Sequence, residues 1–403
     1  MKRLQAYQFQ LKTTPGMDSR MRQFSGSCRF VWNKALALQQ ERYQAEGTRI
    51  NYNDLAGLLV AWKKDSETSF LAGVHSQILQ QTLKDLERAW NNFFQKRSER
   101  PRFKKKGRKE SFRFPQGFKL DQANSRIYLP KLGWIRYRNS RNVLDTVKNV
   151  TVSQTCGKWF VSIQTELDVE PPAHPATSII GIDVGIARFA TLSDGSHIEP
   201  LNTFRKHQAR LARTQRTMSR KKRFSKNWKK AKARVQRIHT RIANVRRDFL
   251  HKATTTICKT HAIVCIEDLQ VRNMSKSAAG SSEAPGRNVR AKSGLNKSIL
   301  DQGWFEFRRQ LEYKQTWLGG EVLAVPPQNI SRICPACGHV SAENRQTQSR
   351  FACVECGYEN NADLVGAINV LERGHRLLAC GGMAQLGRPM KQEPAEASQL
   401  AFS

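Results

Sequence analysis

Two Cys-x-x-Cys pairs, Cys334-Pro-Ala-Cys337 and Cys353-Val-Glu-Cys356, stand fifteen residues apart in a chain with nine cysteines. Gly338 and Gly357 follow them directly, so each pair reads as a tight turn whose sulfurs can converge on one ion. Four thiolates suit tetrahedral, structural Zn2+ and leave no coordination position open to a substrate. A redox dithiol is the alternative, and two matched pairs speak for the metal. Cys28, Cys156, Cys258, Cys265 and Cys380 read as packing or surface residues. Cysteine used in this way points to a reducing compartment, and the expected location is cytoplasmic.

Three acids form the second constellation. Asp183 interrupts the apolar run Ile179-Ile180-Gly181-Ile182-Asp183-Val184, and Glu267 ends the run Ala262-Ile263-Val264-Cys265-Ile266. Asp363 opens an apparent helix through Leu371. An acid at the edge of a buried strand is costly unless a metal or hydrogen bonds satisfy it. Converging at strand ends, the three could hold two Mg2+ ions and hydrolyse a phosphodiester by in-line attack of water. Each also has a plainer reading, Asp363 as a helix cap and Asp183 as a buried hydrogen-bonding acid. Spacing alone does not bring them together.

What such a site would act on follows from charge. The 403 residues carry 68 Lys+Arg against 33 Asp+Glu, a formal +35. An excess of that size is relieved by a polyanion, and a long nucleic acid also releases counterions on binding. The basic runs lack the apolar face of an interfacial helix. No apolar run reaches the roughly 18 residues of a membrane span, and Met1-Lys-Arg-Leu-Gln lacks the apolar segment of a signal peptide. No membrane partner is expected.

The elements that must position these residues follow from periodicity. Residues 4–12 alternate around Tyr7, Phe9 and Leu11, a first strand. Met21, Phe24, Cys28, Val31, Ala35 and Leu38 then recur at helical spacing, with Gly47 placed to stop the helix. A second helix puts Leu79, Leu83, Leu86, Trp90 and Phe93 on one face, and nine of the fourteen residues from Lys96 to Lys109 are Lys or Arg. From about 112 the period is two: Ile127 and Leu129, then Val150 and Val152, answered by Trp159, Val161 and Ile163 across the turn at Cys156-Gly157-Lys158. The first strand is expected to join these in a small barrel, with the helical unit inserted between. Pro171-Pro-Ala-His-Pro175 reads as a linker. Residues 204–247 hold eighteen Lys or Arg and no acid, a helical pair with a cationic surface. Residues 274–298, rich in Ser, Gly, Ala and Lys, read as a mobile loop, a candidate lid or a plain surface loop. Trp304, Phe307, Leu311 and Lys314 share one side of a later helix, and the segment from Cys380 has little periodicity and reads as disordered.

At these residues the chain resembles the transposon-encoded TnpB family, compact relatives of type V CRISPR effectors. The matching stretches are Gly181-Ile-Asp183-Val-Gly185, Ile266-Glu267-Asp-Leu269, and the four-cysteine segment followed by Asp363 and Ala367-Ile-Asn369. Asn244 to Lys252, Gly294 to Leu300, Arg29-Phe-Val-Trp-Asn33 and Pro101-Arg-Phe-Lys104 extend the likeness over nearly the whole chain but the tail. It implies a multidomain α/β protein: a RuvC/RNase H-like nuclease core with an inserted zinc ribbon, a β-barrel wedge domain and a helical recognition domain. Segment by segment, the wedge takes 1–15 and 112–172, and recognition takes 16–111. The nuclease core takes 173–329 and 361–379, with a basic arm at 204–250 and the lid at 274–298; the ribbon takes 330–360, and 380–403 is tail. The resemblance also implies a guide RNA from the transposon end, a double-stranded DNA target and a short flanking motif. Asp183, Glu267 and Asp363 would be catalytic and hold Mg2+; Cys334, Cys337, Cys353 and Cys356 would hold Zn2+. The chain departs from the pattern at Val365-Gly366, where the family commonly has Asn-Ala.

Base pairing would then read the sequence while the protein reads duplex shape and the flanking motif. Ser76, Gln77, Gln80, Gln81 and Lys84 form a polar helix face which, with Tyr52 and Asn53, could read base edges; a solvated helix surface is the plainer reading. Lys104, Lys105 and the run Arg220-Lys221-Lys222-Arg223 are candidate nucleic-acid contacts. The competing functions are a non-cleaving RNA-guided DNA-binding repressor, against which all three acids are present, and a transposase or its accessory protein. Strand transfer through a covalent tyrosine would need a Tyr–basic cluster, and none of the seven tyrosines stands in one.

Overall fold

The alternation around Tyr7, Phe9 and Leu11 folds as β1 (Lys2–Lys12), with those three side chains buried. The computed structural model describes residues 2–382, and the chain divides after Glu170 into two units, at the proline-rich linker. In the first unit β1 leads into α1 (Pro15–Glu46), where Thr14 caps the start, Pro15 fits the first turn, and Gly47 ends the helix in the left-handed region at φ 66°. Then come α2 (Tyr52–Lys64), capped by Asn51, and α3 (Ser76–Phe94). The remaining strands are β2 (Ser111–Phe114), β3 (Lys119–Asp121), β4 (Arg126–Leu129), β5 (Gly133–Tyr137), β6 (Thr146–Thr155) and β7 (Lys158–Asp168). They form one seven-stranded sheet in the order β2-β6-β7-β1-β5-β4-β3, with β1 at its centre. So the first strand does join strands over a hundred residues away, with the helices inserted between. β6 and β7 close through Cys156 and Gly157, both at positive φ (50° and 76°), as a two-residue hairpin of mirror-image turn type requires. The sheet's inner residues and the buried faces of α1 and α3 share one core.

The second unit begins with β8 (Ile179–Val184), β9 (Ala190–Leu192) and β10 (His197–Ile198), followed by the cationic pair α4 (Thr203–Ser219) and α5 (Lys226–Thr260). Leu211, Val235, Ile238 and Ile242 hold that pair together. β11 (Ile263–Glu267) returns to the sheet, and α6 (Val271–Met274), α7 (Val289–Gln302), α8 (Trp304–Leu318) and β12 (Glu321–Val325) follow. The sheet order is β10-β9-β8-β11-β12; β8, β11 and β12 run parallel, while β9 and β10 are antiparallel. A small hairpin of β13 (Arg350–Ala352) and β14 (Glu359–Asn361) precedes α9 (Ala362–Gly382).

The expected loop over 274–298 is overturned in part: residues from Val289 on are α7. Composition hid the anchors. Ile299 is buried, Lys292 Nζ donates to the Met274 carbonyl, and Asn296 Nδ2 donates to the carbonyls of Ser275 and Lys276. Only 275–288 runs irregularly, and it carries an isolated bridge between Gly280 and Pro285. The expected disordered tail also starts too early, since Cys380–Gly382 belong to α9; residues 383–403 lie outside the described residues. Strand β12 was missed, although an apolar run after Gly319-Gly320 signals it. Among the described residues no helix is long and apolar enough to cross a membrane.

A candidate active site beside a four-cysteine cluster

The parallel register of β8 and β11 sets Ile182 beside Ile266, so Asp183 and Glu267 leave neighbouring strands at one level and on one face. That face is covered by α9, which lies against the strands because glycines allow it. A Cβ on Gly181 would stand 2.3 Å from the Ala367 carbonyl oxygen, and one on Gly374 would stand 2.0 Å from Cys265 Sγ. Asp363 sits in the first turn of α9. It is not the cap of its helix: the Asn361 side-chain oxygen accepts from the amides of Asp363 and Leu364 (3.0 and 3.3 Å). The Asp363 carboxylate is therefore left to face Asp183. One turn on, Gly366 stands where a Cβ would come within 2.9 Å of Asp183 Oδ2.

The electrostatics follow from this crowding. Burial, and then the charge of Asp363, push Asp183 up to about 6. Burial, and then Asp183, push Glu267 up to about 7. Two arginines oppose the repulsion. Arg345 Nη2 stands 3.9 Å from Asp363 Oδ1 and acts on Asp183 and Glu267 as well. Arg373 acts on Glu267 while its guanidinium donates to the carbonyls of Pro326 and Gln328. Hard oxygen donors whose charges repel in a half-buried site suit a divalent cation such as Mg2+. The three carboxylates do not close to the 4.8 Å mutual spacing that the cysteine sulfurs share. Ligands of two ions roughly 3.5–4 Å apart stand farther from one another than ligands of one.

The four thiols are such a tight set. Cys334 Sγ lies 3.6 Å from Cys356 Sγ, and Cys337 Sγ lies 3.6 Å from Cys353 Sγ. Zn–S bonds of about 2.3 Å at tetrahedral angles put sulfurs about 3.8 Å apart, so the cage fits zinc. Both turns are built alike: Gly338 and Gly357, at φ 76° and 71°, donate to the carbonyls of Cys334 and Cys353. Asn344, fully buried, ties them together. Its side-chain nitrogen donates to the carbonyls of Arg332 and His339, and its oxygen accepts from Val354 N. Asn369 of α9 donates to the carbonyls of Ile330 and Ile333 (2.7 and 2.8 Å), fixing the cysteine segment to the helix that carries Asp363. Arg345 belongs to that segment. The sequence reading missed it, as an arginine in a polar loop gives no signal of what it faces.

The candidate nucleic-acid residues fall in three places. Tyr52 and Lys84 meet, with Nζ 5.2 Å from the ring centre. Asn53 and Gln80 are exposed, Ser76 accepts from Lys63 Nζ, Gln81 donates to Asp85, and Gln77 Oε1 is buried without a partner. Lys104 stands over the Trp32 ring, and Asn33 brackets its backbone with two hydrogen bonds, so the separate stretches 29–33 and 101–104 meet; Lys105 is exposed beside them. Arg220, Lys221, Lys222 and Arg223 form the exposed turn between α4 and α5. At the opposite end of the helical pair, buried Asp301 accepts from the Phe204 and Arg205 amides and from Arg246 (2.7 Å).

Comparison with known proteins adds three family matches: "Probable transposase" over residues 162–278, "Cas12f1-like, TNB domain" over 304–370, and "Helix-turn-helix domain" over 1–48. In this chain the last stretch is a strand followed by one continuous helix. A relative from Escherichia coli (strain K12), named for an RNA-guided DNA endonuclease activity and called InsQ, is 60% identical over 99% of both chains. A similarly named relative from Streptomyces pristinaespiralis is 34% identical over 98% of this chain and 97% of its own. Among solved structures, a Cas12f1–sgRNA–target DNA complex matches with a TM-score of 0.55 at 15% identity, covering 89% of this chain and 83% of that one; it speaks for the fold alone.

Proposed function

The chain belongs to the TnpB family, and on that premise we propose that it is an RNA-guided DNA endonuclease that cuts its target by two-metal-ion hydrolysis. The observation that carries this reading is the meeting of Asp183, Glu267 and Asp363 on one face of the second sheet. The strand order, with three parallel strands flanked by an antiparallel pair, supports a RuvC/RNase H-like core over 173–329 and 361–379, interrupted by a zinc ribbon at 330–360.

Asp183, Glu267 and Asp363 would hold Mg2+. When bound, a pair of such ions activates the attacking water and stabilises the leaving 3′ oxygen in an in-line displacement. The chain's own groups do the rest. Burial keeps the carboxylates poorly hydrated, so they bind a cation in place of water. Arg345, held by the cysteine segment against Asp363, is a cation placed to meet the non-bridging oxygens of the scissile phosphate. Zn2+ held by Cys334, Cys337, Cys353 and Cys356 would thereby fix the loop that carries Arg345. A single site of this kind cuts both DNA strands in turn.

In the first unit, the seven-stranded sheet of 1–15 and 112–172 serves as the wedge. The helices of 16–111 serve as the recognition domain, with Tyr52, Asn53, Ser76, Gln77, Gln80, Gln81 and Lys84 toward the flanking motif. Lys104, Lys105 and the turn Arg220–Arg223 serve as phosphate contacts. The guide is an RNA from the transposon end.

Plasmid cleavage with the co-purified RNA and Mg2+ tests the assignment. Wild type is expected to cut and Asp183→Ala is not; cutting that survives the substitution would remove Asp183 from the mechanism. Ribonuclease treatment before target is added tests the guide separately, because undiminished site-specific cleavage would exclude the RNA.

A further inference from the structure

A cavity of about 380 Å3 opens beside Glu267, in the range of small-molecule sites. Its floor is apolar, from Val184, Ile266, Leu269 and Trp304, and Glu267 forms part of its wall. The rim carries Arg272, Arg308 and Arg309 together with Asp268 and Glu312; Arg308 pairs with both of those acids. Phe305, at the rim, is 72% exposed, the most exposed large apolar side chain among the described residues. The adjoining Trp304 is 94% buried and gives the lining apolar surface only, its indole nitrogen being inaccessible. An exposed ring adds little to stability. A ligand with a flat face would cover it.

We infer that this cavity seats one unpaired nucleobase of the DNA strand being cut, next to the scissile phosphate, with Phe305 as its stacking partner. The inference rests on the nuclease reading above, because Glu267 belongs to both the cavity wall and the acid cluster. A phosphate held at the acids brings the adjacent base to the neighbouring hollow. The apolar floor takes the ring, and Arg272, an exposed cation at the rim, lies where the backbone passes. A base inside a duplex is already stacked on both faces, so only single-stranded DNA can fill the site.

The test is a double-mutant cycle between protein and substrate, using the full protein–RNA complex. A fluorescent single-stranded oligodeoxynucleotide complementary to the guide, with flanking nucleotides, carries one abasic position moved along the strand. Binding is read by anisotropy without Mg2+, and cleavage is read with it. Stacking on an aromatic side chain is worth about 5- to 150-fold in affinity per base. At one position near the cut, the abasic substitution is expected to weaken wild-type binding by a factor in that range. Phe305→Ala should lose a similar factor on intact DNA and little more on the abasic strand, while Phe305→Trp keeps the wild-type response. If Phe305→Ala and every abasic position act independently, the cavity is not a base site. The two readings separate: coupling without cleavage upholds the cavity and sinks the nuclease, and cleavage without coupling does the reverse.

Discussion

Neutralising Asp183 should stabilise the metal-free protein at high pH, and the size of the effect follows from its surroundings. Its carboxyl rises from 3.8 to about 6, first through burial and then through Asp363; Glu267 rises from 4.5 to about 7 through burial and Asp183. Both folded-state values lie above the unfolded ones. The folded chain therefore holds more protons between pH 4 and 7, and stability falls as pH rises through that window. Below about pH 4 both states are protonated and nothing is lost. Each tenfold change in proton affinity is worth about 1.4 kcal/mol, so holding Asp183 ionised at pH 8 costs about 3 kcal/mol. Glu267 adds to that, less than independently, because the two share their mutual repulsion. Asp183→Asn removes one charge and relieves Glu267. In chelator at pH 8 it should be about 3 kcal/mol more stable than wild type in urea, and the difference should shrink toward zero at pH 4. Mg2+ should stabilise wild type at pH 8 and the variant far less. If the variant were no more stable at pH 8, or Mg2+ made no difference to wild type, the acids would not be the crowded, cation-seeking cluster described.

Arg345→Ala is expected to slow cleavage on the order of 100-fold or more, as loss of a preorganised charge contact does, with the melting temperature nearly unchanged; an unaltered rate would take Arg345 out of the chemistry. Gly366→Ala gains about 1 kcal/mol of helix propensity but crowds Asp183 Oδ2 at 2.9 Å. Its cleavage should need more Mg2+ than wild type, and superimposable Mg2+ titrations would count against the packing argument. Asp301→Ala strips the α4 amides and Arg246 of their buried acceptor. A loss of about 3–5 kcal/mol is expected, seen as easier unfolding and earlier proteolysis within 204–247. Cys356→Ser should release the zinc and lose cleavage together; full activity without zinc would free Arg345's position from the cysteine cage.

The acids and cysteines could be read before any geometry because each breaks a local rule. Asp183 and Glu267 are charges in apolar strands, and the cysteine pairs repeat a spacing that suits a shared ion better than a redox dithiol. Periodicity likewise gave the core faces of β1, α1 and α3, where a single buried side dictates residue type. What escaped was held by contacts remote in sequence. α7 looks like a loop by composition and is a helix because Lys292, Asn296 and Ile299 find partners elsewhere. Arg345 and Asp301 carry no local signature; what each does depends on an element tens of residues away. The barrel rests on alternation and on the family resemblance, and alternation gives the faces of strands but not their order or where a sheet ends.

Where divalent cations bind decides whether the three acids form a nuclease site. A crystal structure soaked in Mn2+, with anomalous scattering locating the metal, should place the ions between Asp183, Glu267 and Asp363, and Asp183→Ala should abolish them. Manganese found only elsewhere on the protein, with the three carboxylates empty at saturating concentration, would contradict it.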